Sequence, residues 1–128
     1  MQGQRRQRTI SARVRKTLRT PEQHQAEAIH WNTLGDTYSA LGLMRRAITC
    51  YKRSRTLAQR IDPQEHQPVD DWNLLTKVGM AYQMLGETRC AISYHLDSLH
   101  LARTLGDMER QLAALRHLST YKRLTEPR

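Results

Sequence analysis

Apolar residues recur at three- and four-residue spacing through Ala28, Trp31, Leu34, Tyr38 and Leu41, the period of one face of an α-helix. Thr20-Pro21-Glu22-Gln23 supplies its start, because Thr can cap, Pro suits the first helical position and Gln follows three residues after the cap. Gly42 supplies its stop. A second stripe, Ala47, Ile48, Tyr51, Leu57, Ala58 and Ile61, predicts a partner helix, and Asp62-Pro63 opens a polar connection that holds Pro63 and Pro68. The design then returns. Asp70 or Asp71 caps a helix bearing Leu75, Val78, Tyr82 and Leu85, with Gly86 as its stop. Residues 88 to 105 carry Ala91, Ile92, Leu96, Leu99, Leu101 and Leu105, and after Gly106-Asp107 a fifth stripe runs through Leu112, Leu115, Leu118, Tyr121 and Leu124. The expectation is an all-α fold of five helices.

Laying 31–61 over 75–105, an offset of 44 without a gap, matches ten of 31 positions, including Gly35/Gly79, Tyr38/Tyr82, Gly42/Gly86, Ala47/Ala91, Ser54/Ser98 and Ala58/Ala102. A repeated helix pair means a quasi-one-dimensional stack in which each unit buries its apolar face on its neighbour. The predicted organisation is a basic N-terminal arm over 1–20 and a repeat domain over 21–124, divided into repeat one (21–61), repeat two (70–105) and a closing helix (107–124).

Trp31-x-x-Leu34-Gly35-x-x-Tyr38, followed by Ala47 and Tyr51, resembles the tetratricopeptide helix-turn-helix pattern, and Leu101-Ala102-Arg103-Thr104-Leu105-Gly106-Asp107 is similar to the joint of its long-repeat branch. That resemblance implies an α-solenoid of antiparallel helix pairs, a right-handed superhelix. Gly35 and Gly79 would let the helices of a pair approach, with Ala47 and Ala91 opposite them. It also implies an inner groove that holds a peptide or a partner helix. The groove would be lined by Asn32, Asp36 and Ser39, by Asn73, Thr76, Lys77, Met80 and Gln83, and by Arg116, Ser119 and Lys122. As mapped it is polar and turns basic toward the C-terminal end. Of the positions matching the carboxylate clamp of chaperone-binding members, only Arg116 fits, so that clamp is not expected. The second copy departs from the pattern at Leu75, Val78 and His95, and the third carries Leu118 in place of glycine.

Charge adds a second theme. The net charge is +9, from 21 Lys and Arg against 12 Asp and Glu. Residues 1–22 hold Arg5, Arg6, Arg8, Arg13, Arg15, Lys16 and Arg19 against Glu22 alone, a net +6. By composition the arm reads as a solvated tail, as a contact for nucleic acid or an acidic partner, or as a targeting sequence, and Ile10, Val14 and Leu18 at i, i+4 and i+8 favour a helical arm that contacts a partner or caps the first repeat over a targeting sequence. The function expected is that of a non-catalytic adaptor or scaffold, with a nucleic-acid-associated protein, using the arm and the basic groove end, as the alternative. No recognised nucleic-acid fold supports the alternative. The apolar face of the last helix, richer than one preceding helix can cover, adds a homodimer as a candidate assembly.

Candidate chemistry is sparse. The six histidines form neither H-E-x-x-H nor an i, i+4 pair and read as surface or packing residues. Asp97 and His100 lack a placed nucleophile, and Cys50 and Cys90 belong to no C-x-x-C pair and are expected as two buried thiols. No catalytic residue, metal site or cofactor is assigned. Trp72 is expected half-buried against the connection, and Met80 and Met84 divide between core and groove. With no apolar run near the roughly 18 residues that span a bilayer, a cytoplasmic protein without membrane insertion is expected.

Overall fold

In a computed structural model, the structure describes residues 20–61 and 67–121. Five helices follow one another: α1 (Pro21–Ala40), α2 (Met44–Ala58), α3 (Pro68–Met84), α4 (Thr88–Leu105) and α5 (Met108–Ser119). Each packs mainly on its neighbours in sequence, α1 on α2, α2 on α3, α3 on α4 and α4 on α5.

The ends of these helices follow from local chemistry. At α1 the Gln23 N–H donates to the Thr20 hydroxyl (3.2 Å) while the Thr20 N–H donates to the Gln23 side chain (3.0 Å), a reciprocal capping box. Three helices close by the same device. Gly42, Gly86 and Gly106 take φ of 78°, 75° and 67°, a region costly for residues with a Cβ. The following N–H then reaches back to a carbonyl five residues earlier: Leu43 to Tyr38 (2.9 Å), Glu87 to Tyr82 (3.0 Å) and Asp107 to Ala102 (3.0 Å). Asp107 then caps α5, accepting from the Arg110 N–H at 3.1 Å.

Several boundaries differ from expectation. α3 starts at Pro68, not at residue 70, because Pro fits the first helical turn. Gln67 stands at the cap position without a side-chain bond, and Asp70 and Asp71 fall inside the first turn, where they complement the helix dipole. α2 ends at Ala58, three residues short of Ile61, and α5 ends at Ser119. Lys122, Leu124 and the basic arm lie outside the described residues. Cys50 is buried, and burial raises its thiol pKa, but Cys90 is exposed at the start of α4.

The main core joins Ala47, Ile48 and Tyr51 of α2 to Leu74, Val78 and Ala81 of α3, with Tyr38, Tyr82 and Tyr94 around it. A smaller cluster packs Ala28 and Trp31 on Leu57 and Ala58. Both copies of the repeat place a glycine against a ring. A Cβ on Gly35 would stand 2.6 Å from Tyr51 Cε1, and one on Gly79 would stand 2.7 Å from His95 Cε1. The nearest neighbour of each glycine is therefore Tyr51 in the first copy and its aligned residue His95 in the second, a ring beyond the Ala47 and Ala91 that the resemblance implies opposite the glycines. Those alanines are fully buried nonetheless.

Neither ring can easily retreat, since Tyr51 is 3% exposed and His95 0%. Gly→Ala within a helix ordinarily gains about 0.5 to 1 kcal/mol. Here Gly35→Ala and Gly79→Ala should each lose about 1 to 3 kcal/mol through overpacking. Urea denaturation of the two variants measures this, and unchanged midpoints would show that the contact is slack.

Candidate binding faces

Three of the groove residues expected from the sequence meet around one ammonium. Lys77 of α3 donates to Asn32 Oδ1 at 2.9 Å and lies 3.0 Å from Asp36 Oδ1, both on α1. Tyr51 of α2 donates its hydroxyl to the same Asp36 at 2.7 Å, and the Lys77 ammonium stands 5.5 Å from the Tyr51 ring centroid. Burial, followed by the bond to Asp36, holds the Tyr51 hydroxyl far above the ordinary tyrosine range. The arrangement ties α1, α2 and α3 together at a partly solvated ion pair. Its charges are matched among themselves, so Lys77 is not a free cation.

The remaining groove residues divide. Thr76 is buried, and its hydroxyl finds no partner among the described residues, which removes it from an open groove. Ser39 is half-buried and donates to Met44 Sδ at 3.8 Å, and Asn73 is half-buried. Gln83, Arg116 and Ser119 are exposed, and the Ser119 hydroxyl bonds back to the Arg116 carbonyl at 2.7 Å. Met80 is 47% and Met84 71% exposed, so both leave the core. On α5, Met108, Leu112 and Leu115 are exposed while Ala114 is fully buried. The face is thus more apolar than its side-chain mapping suggested. Trp72 is half-buried, with the Arg110 guanidinium of α5 5.4 Å from its ring, so it packs on the closing helix.

The most enclosed ionisable group is His95. It stacks on His117 of α5, centroids 4.6 Å apart and planes 3° from parallel, and neither of its nitrogens has a partner among the described residues. Burial, reinforced by His117, lowers its pKa from 6.5 to about 4. The signal for this pair was present in the alignment of His95 with buried Tyr51, but nothing in the spacing of His117 pointed to it. His100 and Asp97, a conceivable base and orienter, both face solvent. Among the described residues no group of three or more His, Cys, Asp or Glu is gathered to hold a metal ion, and no helix is long and apolar enough to cross a membrane. Compared with protein families, curated proteins and solved structures, the chain matches none.

A histidine whose pKa is depressed by folding takes up its proton more readily in the unfolded chain. The contribution of His95 is therefore complete above pH 6.5 and declines as the pH falls toward about 4. Urea midpoints measured across that window should fall with acid in the wild type and flatten in His95→Phe. An equal decline in both would assign the acid sensitivity to other groups.

Proposed function

We propose that the chain is a tetratricopeptide-like α-solenoid acting as a non-catalytic, cytoplasmic adaptor or scaffold, with repeat one, repeat two and α5 as its successive units. In this reading α1, α3 and α5 line a groove that holds a peptide or a partner helix. The carrying observation is that Met80 and Met84 on α3 and Leu112 and Leu115 on α5 stand 44 to 71% exposed, while Val78 and Ala81 of α3 and Ala114 of α5 are buried. Leu112 holds the register of Asn73, 39 residues earlier, so its side chain falls at a groove position of the proposed stack. Unbranched methionines adapt to varied apolar partners, and Arg116 beside Leu115 favours one that also carries an acid.

A photo-crosslinking residue placed at Met80 or at Leu112 should capture the same partner in cells, while one at Leu96, half-exposed on α4, should not. Capture from Leu96 alone would move the site off the groove. A second copy of the chain competes for the α5 face. Light scattering over about a hundredfold range of concentration separates the two occupants. Dimerisation that Leu115→Glu abolishes supports self-association, and a monomer throughout assigns the face to a different chain.

A further inference from the structure

Charge in the first two helices is sorted by helix. α1 carries Glu22, Glu27 and Asp36 and no Lys or Arg. α2, packed beside it, carries Arg45, Arg46, Lys52, Arg53 and Arg55 and no Asp or Glu. Among the described residues no ion pair joins the two sets. Asp36 turns to Lys77, and among the described residues the only ion pair made by α2 is that of Arg45 with Glu87.

The other cations rest on aromatic rings. Arg46 lies 5.8 Å from the Tyr38 centroid and Arg53 4.7 Å from that of Trp31. Lys52 lies 5.4 and 5.7 Å from the stacked Tyr82 and Tyr94 and donates to the Tyr82 hydroxyl at 2.9 Å. A cation seated on a ring has given up torsional freedom before a ligand arrives, while a guanidinium so placed keeps N–H donors at its edge.

Two further observations narrow the ligand. From Met44 to Ile61 no large hydrophobic side chain is exposed. Protein partners meet an apolar interface core, which this surface lacks, whereas a phosphate backbone asks only for cations and donors. Beside Lys52, a cavity of about 240 Å³ opens between α2, α3 and α4, with Arg55, Gln59 and Tyr94 on its walls and Leu74 and Val78 behind. Arg55 Nε is buried without a hydrogen-bond partner among the described residues, a donor whose desolvation an incoming acceptor would offset.

We propose that the exposed side of α2 binds single-stranded nucleic acid. The phosphates lie on Arg46, Lys52 and Arg53, and one unstacked nucleotide enters the cavity, where Arg55 meets its acceptor atoms and Tyr94 supplies an aromatic wall. A duplex keeps its bases in the stack and offers nothing to that cavity. The site is independent of the groove and stands or falls without it.

The test is fluorescence anisotropy of the full chain with a labelled mixed-sequence RNA of about 20 nucleotides, over a salt series. Each lost phosphate contact to a single strand lowers the slope of log K against log salt by about 0.7. Arg46→Gln/Arg53→Gln should therefore lower it by about 1.4, twice that value, while Arg89→Gln/Arg103→Gln, the same charge change on α4, leaves it unchanged. Arg46→Lys/Arg53→Lys should keep the wild-type slope. If circular dichroism shows the glutamine pair unfolded, Lys52→Gln alone should lower the slope by about 0.7. Equal losses in the α2 and α4 variants, no loss in either, or no binding by the wild type would each overturn the proposal. A duplex of the same sequence and a polyglutamate of similar length serve as competitors, both expected at least about tenfold weaker. Equal competition by the duplex would remove the single-strand assignment, and equal competition by polyglutamate would point to an acidic protein.

Discussion

The structure depends on how closely the two helices of each hairpin approach, and that distance is set by a glycine pressed against an aromatic ring. Gly35 lies on Tyr51 and Gly79 on His95. Every other contact of the hairpins assumes that spacing. Ala47 and Ala91 are completely enclosed, and Ser54 and Ser98 are buried at matching positions, with the Ser54 hydroxyl donating to the Ala28 carbonyl of α1 at 2.6 Å. The two copies solve the polar end of the ring differently. Tyr51 finds Asp36, but the residue 44 positions on from Asp36 is Met80, so His95 has no such acceptor and instead stacks on His117. The first hairpin is consequently tied by a hydrogen bond to a carboxylate and the second by a stack that works only with an uncharged imidazole.

Much of this was legible in the residue pattern. The capping box at Thr20, the stops at Gly42, Gly86 and Gly106, and the extent of α4 all follow from short-range chemistry that needs no tertiary information. The start of α3 was misplaced because two aspartates compete with Pro68 for the same signal, and the first turn tolerates acids as readily as the cap does. Side-chain destinations were harder. That Lys77 reaches Asn32 and Asp36 depends on how α1 sits relative to α3, and the burial of Thr76 depends on a rotation of α3 that periodicity does not resolve finely. Cys90 shows the same limit, being apolar by type but on the outward side of α4.

The exposed surface is divided by chemistry. α3 and α5 show methionine and leucine, whereas α2 shows guanidinium and ammonium groups with no exposed apolar side chain among them. On the two proposals above, such a partition would keep two unlike ligands apart, because an apolar ligand gains nothing on α2 and an anionic polymer gains little on α3. The aromatic residues contribute to both regions: Tyr51 holds the ion pair of Asp36 and Lys77, while Trp31, Tyr38, Tyr82 and Tyr94 seat the cations.

Among the described helices α5 holds its main interface with α4 alone, whereas α3 and α4 each have two. A chain whose helices touch chiefly their sequence neighbours closes only short loops as it folds, which favours rapid folding and lets an end unit open without the rest. Among the described helices α5 is then the one whose amides should exchange with solvent first. A ligand that clasps α5 would change the rigidity of the molecule as well as cover its surface. Occupancy at the far end would be felt along the row of helices as a loss of motion, with no rearrangement of their packing.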